Sequence, residues 1–290
     1  MIDLNDNNRE FIDLHVHSNA SDGTFTPEEV VEYAEEKGLY AIALTDHDTV
    51  DGIERAIEAA KGTPQRKIMV KVIPGIEISA EFEKSYDLHI LGLNVDYKSN
   101  GFLRIVEECR KSRDNRNLKM IEKIRELGLP LTEEIMKERF KGASVTRAHF
   151  ARYMMDEGFT ESAKEAFEKY LNPGACCYVP REKISPENAI ELILEAKGHP
   201  VLAHPMLYHM EEEKLDNTIC WLKGLGLQGI EGLYSLNTME DDRKLAVLAE
   251  KYGLFLTGGS DFHGGNKPDI DLGIGKGNLR MKKELLQNIL

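Results

Sequence analysis

The sequence predicts an α/β protein whose strands close into a (β/α) barrel that carries an all-helical insertion. Three observations predict this fold class. Strand and helix patterns alternate in the first third of the chain and again near its end. Between them, from about residue 98 to residue 180, every pattern is helical. Histidines and acidic residues recur where predicted strands end, which is the face on which barrel enzymes carry their functional side chains.

The first third of the chain alternates strand and helix. The strand "FIDLHVHS" precedes the helix "TPEEVVEYAEEKG", in which Thr26 is the N-cap, Pro27 the first helical residue and Gly38 the stop signal. The strand "YAIALTDHD", the helix "DGIERAIEAAKG" and the strands "VKVIPGIEIS" and "DLHILGLNVD" follow. This alternation predicts a mostly parallel sheet with helices packed outside it.

The middle of the chain reads as helices only. The long helix "GFLRIVEECRKSRDNRNLKMIEKIRELG" precedes helical patterns around 132–140, 146–157 and 160–171. Its charges are typical of a solvated face, although Arg113 or Arg116 can point inward. Alternation resumes with "ENAIELILEAKG", "HPVLAHP", "LQGIEGLYS", "MEDDRKLAVLAEKYG" and "LFLTGGSDFH". We therefore expect a barrel domain of residues 1–97 and 181–290, with a helical insertion of residues 98–180 that covers the active site.

Composition limits the classes of partner. The formal net charge of −13 over 290 residues argues against stable binding of duplex nucleic acid through a broad basic surface. It permits an anionic substrate if the site is locally positive. The sequence shows neither a membrane span nor a leader pattern, so we expect a cytoplasmic protein without a membrane partner. The four cysteines lack zinc or disulfide spacing, and nothing in the sequence indicates an oligomeric state.

Nine potential metal ligands fall in segments that a barrel brings together. His15 and His17 alternate along a strand, so both rings share a face and one ion can bind both. Taken alone, this pair fits a water-facing edge strand equally well. However, "LHVH", "LTDHD", "PGIE", "LAHP" and "GGSDFH" all close predicted strands, and only "DLHILG" has its histidine inside one. The candidate ligands are His15, His17, Asp22, His47, Glu77, His89, His204, Asp261 and His263.

The chemistry of this set favours several divalent ions. Six imidazoles and three carboxylates without a thiolate suit manganese, which we expect, and also iron or zinc. Because a carboxylate can bridge two ions, nine ligands can hold three ions with coordination positions left open. Three divalent ions outweigh three carboxylates and leave a positive pocket. Such a pocket suits a phosphate ester that a metal-bound hydroxide attacks.

The motifs "HVH", "TDHD", "GIE", "HIL", "AHP" and "SDFH", in this order, resemble those of the polymerase and histidinol phosphatase (PHP) superfamily over nearly the whole chain. In the insertion, "RDNRNLKMIEKIRELG", "SVTRAHFARYM" and "KYLNPGACCYV" resemble the branch of 3',5'-nucleoside bisphosphate phosphatases and 5'-to-3' exoribonucleases. The resemblance implies a distorted seven-stranded TIM-like barrel with a trinuclear metal site. It also implies a metal-dependent phosphoric ester hydrolase acting on a small nucleotide, either a 3',5'-nucleoside bisphosphate or the 5' end of a short oligonucleotide.

The resemblance also implies a role for each ligand. The first ion would be held by His15, His17, Glu77 and Asp261. The second ion would be held by His89, by His204 and by Glu77, which would bridge it to the first ion. The third would be held by Asp22, His47 and His263. The resemblance further implies that a metal-bridging hydroxide is positioned by Asp261, His263 and Glu77, and we expect Asp48 to orient one imidazole.

The substrate-binding residues are predicted from the insertion. Arg147 and His149 lie in "SVTRAHFARYM", and Arg116 lies on the long helix. Surface salt bridging is the alternative for Arg147 and His149. The chain departs from the family branch at Ala175-Cys176 and Met206-Leu207, where basic residues are common, and this leaves the physiological substrate open.

Other classes of protein share parts of the pattern. Amidohydrolase-like metal hydrolases also carry HxH on a first barrel strand and a late aspartate, but they use one or two ions. A phosphatase of another small metabolite, such as histidinol phosphate, shares the ligands but not this insertion. A non-catalytic metal-binding module would lose ligands, whereas all nine are present here.

Overall fold

Seven strands lie side by side in chain order and form one sheet. The computed structural model describes residues 9–64, 67–83 and 86–290. Neighbouring strands pair in parallel except where the fourth strand meets the third and the fifth. Too few residues separate the third strand from the fourth for a crossover helix, so the chain reverses there. The strands are β1 (Ile12–Val16), β2 (Ala41–Leu44), β3 (Lys71–Phe82), β4 (Tyr86–Leu93), β5 (His199–Leu202), β6 (Gly229–Tyr234) and β7 (Phe255–Gly259).

The sheet curves until the end of β7 meets β1. The Asp261 amide donates to the His15 carbonyl over 2.9 Å, and the His17 amide donates to the Phe262 carbonyl over 3.0 Å. These backbone bonds nearly close the sheet into a barrel. The predicted fold class, a distorted seven-stranded barrel, is confirmed.

Helices surround the barrel and form the insertion. Capping explains where they begin: the Thr26 hydroxyl accepts the Glu29 amide, the Glu29 carboxylate accepts the Thr26 amide, and Pro27 follows as predicted. The helices that pack around the sheet are α1 (Pro27–Glu36), α2 (Ile53–Ala60), α7 (Pro186–Glu195), α8 (Glu212–Gly224) and α9 (Met239–Tyr252). Those between residues 98 and 180 are α3 (Asn100–Glu126), α4 (Glu133–Arg139), α5 (Arg147–Asp156) and α6 (Ala163–Ala166).

Residues 98–180 contain helices and no strand. The single helix expected over 160–171 is instead α6 followed by a π-helical turn, Phe167–Leu171. The insertion has a hydrophobic core of its own, while Phe102 and Val106 near the start of α3 join the core beside the barrel. The buried residues of the insertion core are Met120, Ile121, Ile124, Leu129, Leu131, Met136, Phe150, Ala151, Tyr153, Met154, Ala166, Leu171, Cys177 and Val179.

The reversal at β4 corrects one expectation about the ligands. Glu77 does not end its strand, because β3 continues to Phe82. In the antiparallel register, Glu77 lies opposite Leu91 and Ser79 lies opposite His89. Glu77 and His89 are therefore diagonal neighbours on one face of the sheet. A single hairpin supplies both ligands from within strands.

Candidate metal centre

The end of β1 and the loop after β7 bring the first group of ligands together. His15 Nε2 lies 3.0 Å from His17 Nε2. Glu77 Oε2 lies 3.3 Å from His15 Nε2 and 3.2 Å from His17 Nε2. Asp261 Oδ1 lies 3.6 and 3.4 Å from the same two nitrogens. All four side chains are buried, and they are the four expected to hold the first ion.

The second group centres on the other oxygen of Glu77. His89 Nδ1 lies 2.7 Å from Glu77 Oε1, and His204 Nε2 lies 3.0 Å from the same oxygen. The two Glu77 oxygens therefore face different sets of imidazoles. This is the arrangement expected of a carboxylate that bridges two ions.

The third group gathers around Asp22. Its Oδ1 lies 3.2 Å from His263 Nε2, and its Oδ2 lies 3.8 Å from His47 Nε2. His17 Nδ1 also approaches Asp22 Oδ1, at 3.9 Å. His47 contacts a second carboxylate, which the sequence did not indicate. Its Nδ1 lies 2.9 Å from Glu77 Oε2. His47 thus contacts the Glu77 oxygen of the first group as well as Asp22 of the third.

This donor set fits divalent cations. Three subsets have ligand atoms that lie within 4.8 Å of one another, and they are His15–His17–Glu77, His47–Glu77–His89 and His17–Asp22–His47–His263. The buried atoms Asp22 Oδ1 and Glu77 Oε2 form no hydrogen bond with any described residue. A buried, unpartnered carboxylate oxygen is costly, and a bound cation would remove that cost.

The charges of the cluster favour ionised acids. Burial opposes ionisation, but facing imidazoles outweigh it and hold the pKa values of Asp22 and Glu77 well below the usual range. Burial lowers the pKa values of His89 and His263 to about 4. For His17, Asp261 and Glu77 outweigh burial and raise the pKa to about 9. Since a metal ligand must be deprotonated, His89 and His263 are ready at neutral pH, whereas an ion must displace a proton from His17.

Glu231, in the middle of β6, is a supporting residue that the sequence analysis missed. Its Oε1 accepts a hydrogen bond from His15 Nδ1 over 3.0 Å, which leaves His15 Nε2 facing the other ligands. Its Oε2 accepts the His204 amide over 2.7 Å. One buried carboxylate therefore orients ligands of the first and second groups. The signal was a lone acid inside the apolar strand "GIEGLY".

Asp261 is oriented by two further residues that the sequence did not reveal. The Tyr234 hydroxyl donates to Asp261 Oδ2 over 2.7 Å, and Lys267 Nζ donates to the same oxygen over 2.5 Å. Asp261 Oδ1 is left for the imidazoles.

Two of the ligands have left-handed backbone conformations. Asp261 has φ of 57°, and His204 has φ of 30°. Such left-handed conformations cost about 1 to 3 kcal/mol in non-glycine residues and are retained where surrounding structure enforces them.

The expected role of Asp48 requires correction. Asp48 makes no hydrogen bond to an imidazole among the described residues. Its Oδ1 accepts the Ser79 amide over 3.0 Å, and its Oδ2 accepts hydrogen bonds from Arg181, over 2.7 Å, and from Arg113. Asp46 lies nearer to the expected role, because its Oδ1 accepts the hydroxyl of Ser21, which in turn contacts a ring nitrogen of His17. Both aspartates belong to "TDHD", and spacing alone does not distinguish them.

A group of cations lies in and beside the insertion, and one of them, Arg113, pairs with Asp48 next to His47. Arg116 is 6% exposed, its Nε donates to Asn117, and its Nη2 is buried without a hydrogen-bond partner in the described part of the chain. Burial and the charges of Arg113 and Arg181 lower the pKa of Arg116 to about 8. The half-buried Arg147 also opposes that charge. Arg116 therefore has an uncompensated charge that an anion can satisfy.

Of the two predicted residues in α5, His149 lies in a capping position. Its Nδ1 accepts the Thr146 amide over 2.9 Å, its ring lies 4.4 Å from that of Phe140, and the backbone of Ser21 contacts it. It is 4% exposed. These contacts give His149 a capping role, and its predicted contact with substrate stays a prediction. Arg147 is less buried than His149, and its guanidinium lies 5.8 Å from the Tyr178 ring centre.

The family is decided by a match between residues 13–175 and the model of the PHP domain, which covers more than half of the chain. The chain belongs to the PHP domain family. This confirms the family predicted from its motifs.

Three curated relatives of this PHP domain carry the names of enzymes that cleave phosphate esters. A 3',5'-nucleoside bisphosphate phosphatase from Chromobacterium violaceum is 33% identical over 272 residues, which cover 90% of each chain. The 5'-3' exoribonuclease Rnm of Escherichia coli is 33% identical over 87% of this chain and 84% of its own. A phosphoribosyl 1,2-cyclic phosphate 1,2-diphosphodiesterase from Eggerthella lenta is 31% identical over 87% and 94%. The predicted class of enzyme, a phosphoric ester hydrolase, is confirmed.

Solved structures support the same fold. One from Bifidobacterium adolescentis, described as a candidate metal-dependent phosphoesterase, has a TM-score of 0.83 at 28% identity and covers 96% of this chain and 95% of its own. Another, described as an amidohydrolase from Chromobacterium violaceum with bound sulfate, has a TM-score of 0.82 at 31% identity and covers 96% and 97%. Within the described residues of this PHP domain, no helix has the length and apolarity that crossing a bilayer requires.

Proposed function

We propose that this PHP domain protein hydrolyses a phosphomonoester of a small nucleotide, with a 3',5'-nucleoside bisphosphate or the 5' end of a short oligonucleotide as substrate. The observation that carries the proposal is the cluster of imidazoles and carboxylates at the barrel mouth. Beside it, Arg113 of α3 pairs with Asp48 next to His47, and Arg116 of the same helix has a buried Nη2 without a hydrogen-bond partner among the described residues. The cluster suits a reacting phosphate, and Arg116 suits a second anion on the same molecule. Two relatives support the proposal, since one is named a 3',5'-nucleoside bisphosphate phosphatase and the other a 5'-3' exoribonuclease.

Three divalent ions, which we expect to be manganese, would fill the three groups of ligands. When bound, such ions supply Lewis-acid stabilisation of phosphate oxygens and lower the pKa of a water ligand. The chain holds the required carboxylates ionised, as the lowered pKa values of Asp22, Glu77 and Asp261 indicate. Glu77, Asp261 and His263 would position the attacking water, since Glu77 and Asp261 each border more than one imidazole and His263 Nδ1 lies 3.3 Å from Asp261 Oδ1.

The insertion supplies cations for the part of the substrate that does not react. Arg147 lies close enough to Arg116 to oppose its charge, and Lys183, just after the insertion, is a third cation near Arg147. Asp87 pairs with Lys183 and no described residue pairs with Arg116 Nη2. A phosphate, which presents several acceptor oxygens to a guanidinium, is the fitting ligand. We place the non-reacting phosphate of the substrate here.

A substrate panel on protein reconstituted with Mn²⁺ tests the proposal. We expect phosphate release from 3',5'-bisphosphates or from short 5'-phosphorylated RNA to exceed release from histidinol phosphate. We expect no hydrolysis of a dihydroorotate-type amide. Single-turnover hydrolysis in ¹⁸O-labelled water should place one label in the released phosphate. Preference for histidinol phosphate or for the amide, or trapping of a phosphorylated side chain, would overturn the proposal.

A further inference from the structure

The insertion contacts the barrel mouth at the loops that carry the third group of ligands. The Ser144 amide donates to the Ala20 carbonyl over 2.7 Å. From α5, Arg152 Nη1 donates to Asn266 Oδ1 over 3.1 Å, and Asn266 Nδ2 donates to the Asp22 carbonyl over 2.7 Å. These bonds fix the backbone on both sides of Asp22 and join it to the loop that follows His263.

A second contact ends beside His47. Arg113 of α3 pairs with the buried carboxylate of Asp48, the next residue after His47. Asp48 has φ of 51°, a left-handed conformation that its Arg113, Arg181 and Ser79 contacts hold in place. The insertion thus restrains the loop of a second ligand in the same group.

The most direct contact is the hydroxyl of Thr146. It donates to Asp22 Oδ2 over 3.0 Å and accepts the Ala148 amide over 3.1 Å as the N-cap of α5. His149 Nδ1 lies farther from the hydroxyl, at 3.4 Å, and already accepts the Thr146 amide. The nearer and charged acceptor, Asp22, therefore receives the single hydroxyl proton. With Oδ2 held in this way, Asp22 presents Oδ1 to His263.

These contacts are selective for one group of ligands. Among the described residues, no hydrogen bond joins the insertion to His15, Glu77, His89 or His204. We propose that Thr146 is a positioning residue for the third metal ion, and that the insertion is thereby a structural part of that ion's site. This inference rests on the proposed trinuclear centre. It gives the insertion a role beyond covering the site.

Metal titration of Thr146→Val tests the inference. The variant keeps the shape of the side chain but removes the proton donor to Asp22. We expect calorimetric titration with Mn²⁺, checked by elemental analysis after dialysis, to show one site weakened about 10- to 100-fold. The other two sites should keep the affinities of the wild-type protein. Thr146→Ser retains the hydroxyl and should restore the third site.

Thr132→Val is the matched control, because Thr132 caps α4 in the same insertion through a hydrogen bond from Ile135 and, within the described part of the chain, forms no hydrogen bond with a ligand. Thr132→Val should lower the melting temperature about as much as Thr146→Val does, and it should keep all three metal sites. Equal metal affinities in Thr146→Val and wild type, or uniform weakening of all three sites in Thr146→Val, would overturn the inference. Fewer than three sites in wild type would instead overturn the proposed trinuclear centre.

Discussion

At the scale of single residues, Arg147 and Arg116 connect the insertion to substrate selection. If Arg147 grips the non-reacting phosphate equally in the ground and transition states, Arg147→Ala should raise KM and leave kcat nearly unchanged. Loss of a charged hydrogen bond costs about 1.5 to 3 kcal/mol, or roughly tenfold to a hundredfold in kcat/KM. Steady-state kinetics should show a larger loss for a substrate with two phosphates than for one with a single phosphate.

Arg139→Ala is the control for this measurement. Arg139 also lies in the insertion, but it pairs with Asp156 and Glu157 at the surface. Its loss should leave the kinetics on both substrates unchanged. Equal losses on both substrates in Arg147→Ala would mean that Arg147 serves the reacting phosphate, and no loss on either would assign it to surface pairing.

Single residues also show how far the sequence could predict the site. Eight of the nine candidate ligands were recognisable because each belongs to a short motif, Asp22 follows the first of these motifs closely, and the fold gathers all nine. Glu231, Tyr234 and Lys267 were not recognised, because their contacts depend on how β6 and the final loop pack against His15 and Asp261. His149 was assigned to substrate from its motif, but its capping bond to Thr146 appears only in three dimensions.

At the scale of elements, the contact between β7 and β1 sets the position of the first ligand group. Gly259 ends β7, and a Cβ added there would lie 2.1 Å from His15 Cβ and 2.9 Å from Glu231 Oε1. Gly259→Ala must therefore push β7 away from β1 at the level of His15. We expect a loss of about 1 to 3 kcal/mol in the free energy of unfolding, measured by denaturant titration, together with reduced metal content.

Gly101→Ala is the matched control, because Gly101 lies in α3 and a Cβ there would meet no atom within 4 Å. Alanine favours a helix over glycine by up to about 1 kcal/mol, so this variant should equal or exceed the wild type in stability. A Gly259→Ala protein with wild-type stability and full metal content would contradict the close approach of β7 to β1.

Elements were predicted more reliably than their directions. Caps and periodicity placed α1 and the strands close to their positions, since those signals are local. The antiparallel course of β4 was not anticipated, because strand pattern carries no information on direction. The antiparallel pairing sets Glu77 diagonally opposite His89, whereas the sequence pattern predicts Glu77 at the end of its strand.

At the scale of the whole molecule, the ligands tie together segments that are distant along the chain. The groups join β1, the loop after β2, the β3–β4 hairpin, and the loops after β5 and β7. Bound ions would therefore cross-link most of the barrel mouth. Among the described residues, buried carboxylate oxygens at this mouth, such as Glu77 Oε2, find no hydrogen-bond partner.

Metal removal should consequently lower thermal stability. An ion present at 100 times its dissociation constant stabilises the folded state by about 2.7 kcal/mol, and a change of 1 kcal/mol shifts Tm by about 2 to 4 °C in a chain of 150 to 250 residues. For three ions we expect a fall in Tm of about 15 to 30 °C. Calorimetry on Mn²⁺-loaded protein and on EDTA-treated, desalted protein measures it. The fall should be smaller in Asp261→Ala, which binds fewer ions from the start. An unchanged Tm after verified metal loss would show that the ions do not brace the barrel mouth.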